Sequence, residues 1–67
     1  MSTPLDTRPD DVATKAETLL CTGRFSEAAY EFRRAAALYT YDRDPGAAAQ
    51  MVGAAITAQR AYEVQPL

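Results

Sequence analysis

The chain has 67 residues, a formal charge of -2 and a pI of about 4.8, with one cysteine and no histidine. A chain this short forms one domain and buries only about 60% of the surface that its unfolded form exposes, so its stability is small. The acidic balance argues against nucleic acid as a partner, since its binders carry a strong basic patch. A lone Cys21 excludes an internal disulfide, and without histidine a conventional zinc site has too few ligands.

Apolar residues make up 48% of the chain, but fourteen of them are alanines, so the core must come from close approach of helices rather than from bulky side chains. Six of the seven basic residues are arginine, which suits bidentate carboxylate pairing at interfaces, although biased codon usage is the plainer account. No apolar run approaches the roughly 20 residues that span a bilayer. The stretch MSTPLDTRPDD is acidic and lacks the apolar segment of a signal peptide. No membrane association is expected, and the expected compartment is the cytoplasm.

Residues 1–6 read as a flexible tail, residues 7–64 as a single three-helix domain and residues 65–67 as a second tail. For the first helix Thr7 supplies a cap, Pro9 suits the first turn, and Asp10 stands where a capping-box acid would, with Asp11 adding charge at the positive end of the dipole. Val12, Ala16, Leu19 and Gly23 follow one stripe, widened by Ala13 and Leu20. Gly23 stands where a left-handed residue closes the helix, which runs from about Arg8 to Thr22.

Ser26 is the expected cap of the second helix, with Glu27 in its first turn and Phe25 before it as a hydrophobic staple. The inner face reads Ala28, Ala29, Phe32, Ala35, Ala36 and Tyr39, and the short Gly23-Arg24 connection demands an antiparallel hairpin. Asp42-Arg43-Asp44-Pro45-Gly46 breaks the pattern: Pro45 suits the first turn of a third helix capped by Asp44. There Ala48, Met51, Val52, Ala55, Ile56, Gln59 and Tyr62 recur at helical spacing. Gly53, inside the helix at a cost of about 1 kcal/mol relative to alanine, predicts close approach of another backbone.

The stretch from Ala16 to Ala36 resembles a tetratricopeptide repeat, through Ala16, Leu19, Gly23, Phe25, Ala28, Phe32 and Ala35. Val12 stands where that repeat often carries a bulky aromatic, and the segment after Pro45 does not continue it in phase, so there is one repeat and no array. A lone repeat cannot bury its faces, and the third helix must cap it. The fold class expected is therefore all-α, a three-helix bundle of one tetratricopeptide-like hairpin plus a C-terminal helix, similar in form to the MIT domain. Both families bind proteins and neither is catalytic, which implies an adaptor.

Members that clamp a C-terminal carboxylate line the first helix with basic and amide side chains. The matching positions here are Asp10, Ala13, Glu17, Leu20 and Cys21, so that clamp is absent. The resemblance instead implies a face of carboxylates and an apolar patch suited to a basic amphipathic segment. Tyr30, Arg33, Arg34 and Tyr41 are the further candidates for partner contact. Tyrosine favours interfaces for its apolar body and polar tip, while Glu27 and Glu31 lie at ordinary helix-surface spacings from Arg34, as on any solvated face.

Cys21 reads as a structural residue, and with no histidine there is no partner for a nucleophilic pair. No catalytic, cofactor-binding or metal-binding residue is expected, and the chain is not expected to be an enzyme. Ala47, Ala54, Ala58 and Ala61 with Gly53 form a smooth flank of the third helix that predicts a homodimer. Three functions follow from these readings: an adaptor binding a protein or peptide segment, an accessory or inhibitory subunit docking on a larger enzyme, and a structural homo-oligomer.

Overall fold

The computed structural model describes residues 8–64, which form three helices: α1 (Pro9–Cys21), α2 (Phe25–Tyr41) and α3 (Pro45–Glu63). Thr7 and the two expected tails, 1–6 and 65–67, lie outside the described residues. Pro9 opens α1 at a position whose N–H has no helical acceptor in any case. Arg8, extended at φ -99° and ψ 140°, is the residue before it and supplies no side-chain cap; Asp10 and Asp11 occupy the first turn.

Two turns of the same construction fold the helices back on one another. Gly23 adopts φ +81°; its N–H donates to the Leu20 carbonyl at 3.2 Å and that of Arg24 to Leu19 at 2.9 Å. Twenty residues on, Arg43 adopts φ 61°; its N–H donates to Thr40 at 3.0 Å and that of Asp44 to Tyr39 at 2.8 Å. This is the pair of bonds by which a left-handed residue consumes the last free carbonyls of a helix. Both connections are too short for anything but antiparallel neighbours.

The two helices that follow these turns start differently. Asp44 caps α3 as its position predicts, its Oδ1 accepting from the Ala47 N–H at 3.2 Å, with Pro45 in the first turn. Ser26 does not cap α2. That helix begins one residue earlier, at Phe25, leaving Ser26 inside the first turn and Phe25 in the helix rather than before it as a staple. The Schellman turn already holds Arg24 in position, so the helix has its start before Ser26 is reached.

α2 is the central element, packed on α1 along one side and on α3 along the other. One cluster joins Ala16, Ala28, Ala29, Phe32, Ala55 and Ala58, and a second joins Val12, Ala13 and Ala35. Phe32, 2% exposed, is the only buried aromatic among the described residues. Alanine facing alanine lets helix axes approach toward the short end of the usual 8–10 Å range. The assembly measures 40 × 28 × 13 Å, a thin slab in which every helix keeps a broad outer face.

That seam decides which way α3 turns. Of the stripe Ala48, Met51, Val52, Ala55, Ile56, Gln59 and Tyr62, the residues Val52, Ile56 and Tyr62 stand about half exposed. Ala48 and Ala55 of the same stripe are buried together with Ala58 of the small flank, and Met51 and Ala54 pack against the clusters. β-branched side chains at the seam would hold α3 away from Ala28 and Ala29 and forfeit the close contact. The flank expected to be free for a homodimer thus supplies Ala54 and Ala58 to the core. Gly53 faces outward, and a Cβ placed on it would meet nothing within 4 Å, so no backbone of this chain approaches it.

Candidate functional site

The outer face of α2 collects half of the expected partner-contact residues. Tyr30, Arg33, Ala37 and Tyr41 recur along it at helical spacing and are all exposed, Tyr41 to 83%. They reach solvent because Ala28, Ala35 and Phe32 occupy the opposite side of the same helix. Arg33 makes no ion pair among the described residues, whereas Arg34 donates from Nη1 to Glu31 Oε1 at 3.0 Å. The expected alternative partner of Arg34, Glu27, lies instead against Arg24 at 2.7 Å.

α1 does not form the face expected of it. Asp10 is exposed and lies 3.4 Å from Arg8, and Glu17 is exposed. Ala13 is buried beside Val12 and Ala35, and Leu20 is half-buried against the Phe32 cluster. The carboxylates therefore remain on the surface, but the apolar patch between them is spent on the core. Farther round the helix Thr14, Thr18 and Thr22 return their hydroxyls to carbonyls one turn back at 2.9–3.1 Å, which leaves that side with few free donors. Cys21 is exposed at the end of α1.

A groove of about 400 Å³ runs between α1 and α2, lined by Lys15, Leu19, Arg24, Glu27, Tyr30 and Glu31 among others. At its floor Glu31 is 8% exposed, with Lys15 of α1 at 3.7 Å and Arg34 at 3.0 Å. Each carboxylate in the groove already has its cation, so the wall is polar and charge-balanced rather than a cation or anion trap. Sequence reading did not find the Lys15–Glu31 contact. Its signal was that each residue borders the inner stripe of its helix, Lys15 beside Ala16 and Glu31 beside Phe32.

A second groove, of about 590 Å³, lies at the α2–α3 turn between Thr40, Arg43, Pro45 and Ala48. It opens beside the outer stripe of α3, where Ala49, Val52, Gly53 and Ile56 are exposed. Among the described residues no group of three or more histidine, cysteine, aspartate or glutamate side chains could hold a metal ion, and no helix is long and apolar enough to cross a membrane. No known protein family, curated protein or solved structure matches the chain.

Proposed function

We propose that this chain is a non-catalytic protein-binding module of tetratricopeptide-like form, acting in the cytoplasm and engaging a protein segment through the outer face of α2. The observation that carries this reading is an inversion of side-chain size. Eleven apolar residues form the buried core and nine of them are alanine, while Tyr30, Tyr41, Val52, Ile56, Tyr62 and Val64 stand exposed. Small exposed apolar residues are ordinary, but a set of large ones on a chain with so little core marks surface intended for contact. The tetratricopeptide likeness is supported by Gly23 in the turn, by Ala28 fully buried beside Ala16 in one cluster with Phe32, and by Ala35 buried against Val12 and Ala13.

The outer stripe of α2 carries two exposed tyrosines, and between them an exposed arginine, Arg33, with no ion-pair partner among the described residues. Tyrosine and arginine dominate binding energy at protein interfaces. Their combination suits a segment carrying apolar side chains and a carboxylate. Such a segment differs from the basic one expected for α1, because Ala13 has no surface to offer it.

The test is affinity capture with the whole chain and with a variant combining Tyr30→Ser, Arg33→Glu and Tyr41→Ser. All three positions are exposed, so circular dichroism should be unchanged. A stoichiometric partner should be retained by the parent and lost by the variant. Equal recovery with both would remove α2 as the binding face, and a large enzyme recovered in fixed ratio would favour the accessory-subunit reading.

A further inference from the structure

We infer that the outer stripe of α3 is a homodimer contact in which two copies pack antiparallel about a two-fold axis between Val52 and Gly53. This goes beyond the proposed role of α2 and uses a different helix. Val52 and Ile56 are each 48% exposed and lie one turn apart, flanked by Ala49 and Gly53. A glycine inside an exposed helix needs a reason, and the fold of one copy supplies none, since the space around the missing Cβ is open to 4 Å. A second helix laid on this stripe would use that opening.

The second copy is the occupant because the stripe is complementary to itself when reversed. With the axis between Val52 and Gly53, Val52 of one copy enters the space over Gly53 of the other, and Ile56 meets Ala49. Bulky side chains face small ones at each step, and the same pairing is repeated by symmetry. Toward the ends, Arg60 of one copy comes alongside Pro45 and Asp44 of the other. Arg60 makes no ion pair and Asp44 faces no cation among the described residues, so the two charges are available to each other. Beyond Arg60, Val64, 79% exposed, reaches the level of the groove between Thr40, Arg43, Pro45 and Ala48.

A shallow helix crossing keeps these ends in reach; crossings of about 20° do so over a helix of this length. A contact confined to one stripe of a single helix makes a weak dimer, so association has to be followed over a wide concentration range.

Sedimentation velocity of the whole chain over about 1 μM to 1 mM should show the mass rising from 7.3 kDa toward twice that value. Gly53→Leu fills the space over Gly53 while touching nothing within its own copy at the Cβ. It should keep or raise helicity and weaken dimerisation at least about tenfold, as should Ile56→Glu. In a Cys21→Ser background, Val52→Cys should form an intermolecular disulfide on oxidation, whereas Arg60→Cys should not. A monomer at every concentration, a dimer unaffected by Gly53→Leu and Ile56→Glu, or equal cross-linking at both cysteines would overturn the inference. The α2 variant Tyr30→Ser/Arg33→Glu/Tyr41→Ser should leave the dimer intact, which separates failure of this contact from failure of the proposed binding face.

Discussion

Glu31 of α2 lies 3.7 Å from the ammonium of Lys15 on α1, and it is the only buried charged side chain among the described residues. Arg34 holds its other oxygen at 3.0 Å. Both cations remain well exposed, so solvent screens the pair and either cation rehydrates when the carboxylate is removed. Glu31→Ala should cost about 1 kcal/mol or less. Denaturant midpoints of Glu31→Gln and the parent should converge as salt is raised toward about 1 M; a gap that persists at high salt would mean that packing, and not charge, is what Glu31 contributes.

The two turns make opposite predictions at their left-handed residues. Gly23 holds φ +81° with open space around it, so Gly23→Ala should destabilise by about 1–2 kcal/mol through backbone strain alone. Arg43 holds φ 61° with a side chain already present, and Arg43→Gly should relieve a comparable strain and stabilise by about 1 kcal/mol. Thermal unfolding of the two variants checks both signs, and a loss of stability in Arg43→Gly would show that the Arg43 side chain outweighs its backbone cost.

Helix starts supply a second contrast. Asp44→Ala removes the acceptor of the Ala47 N–H and should lower stability by about 1 kcal/mol. Ser26→Ala should change it by less than about 0.5 kcal/mol, because Ser26 is an exposed residue inside the first turn of α2 and caps nothing. Equal losses at the two positions would contradict this assignment of the α2 start.

The alanine seam is tested by volume. Ala28 is fully buried, so Ala28→Leu should overpack it and cost about 1–3 kcal/mol. Gly53→Ala, at a position open to solvent, should instead raise the stability of the dilute monomer by about 1 kcal/mol. Phe32→Ala removes the one buried ring at a cost of about 3–5 kcal/mol. A domain this small has little more than that in total, and the cooperative unfolding transition should disappear. An intact transition in Phe32→Ala would place the stability elsewhere.

Local chemistry was legible along the chain. Pro9, Gly23, Asp44 and Pro45 mark helix ends because each acts on a backbone group within its own turn, and the inner faces of α1 and α2 followed from helical period. Tyr30 and Tyr41 were recognised as outside those faces for the same reason. The left-handed Arg43 was not legible, since arginine has no preference for that conformation; the antiparallel return of the chain after Asp42 imposes it.

The orientation of α3 was decided by tertiary structure alone. Its stripe holds Val52 and Ile56 together with Ala48, Met51 and Ala55, a small flank through Ala54 and Ala58 lies beside it, and helical period alone does not say which edge of this wide apolar surface meets the core. The choice depends on what α2 presents across the gap. Because Ala28 and Ala29 share that cluster with Ala55 and Ala58, a small face of α3 comes closest there, around the ring of Phe32. The sequence by itself therefore determined that there are three helices, where the turns between them fall and which sides of the first two are buried, though not the cap of the second. Contact between helices remote in sequence turned the third so that Val52, Ile56 and Tyr62 face outward while Met51 packs on the core.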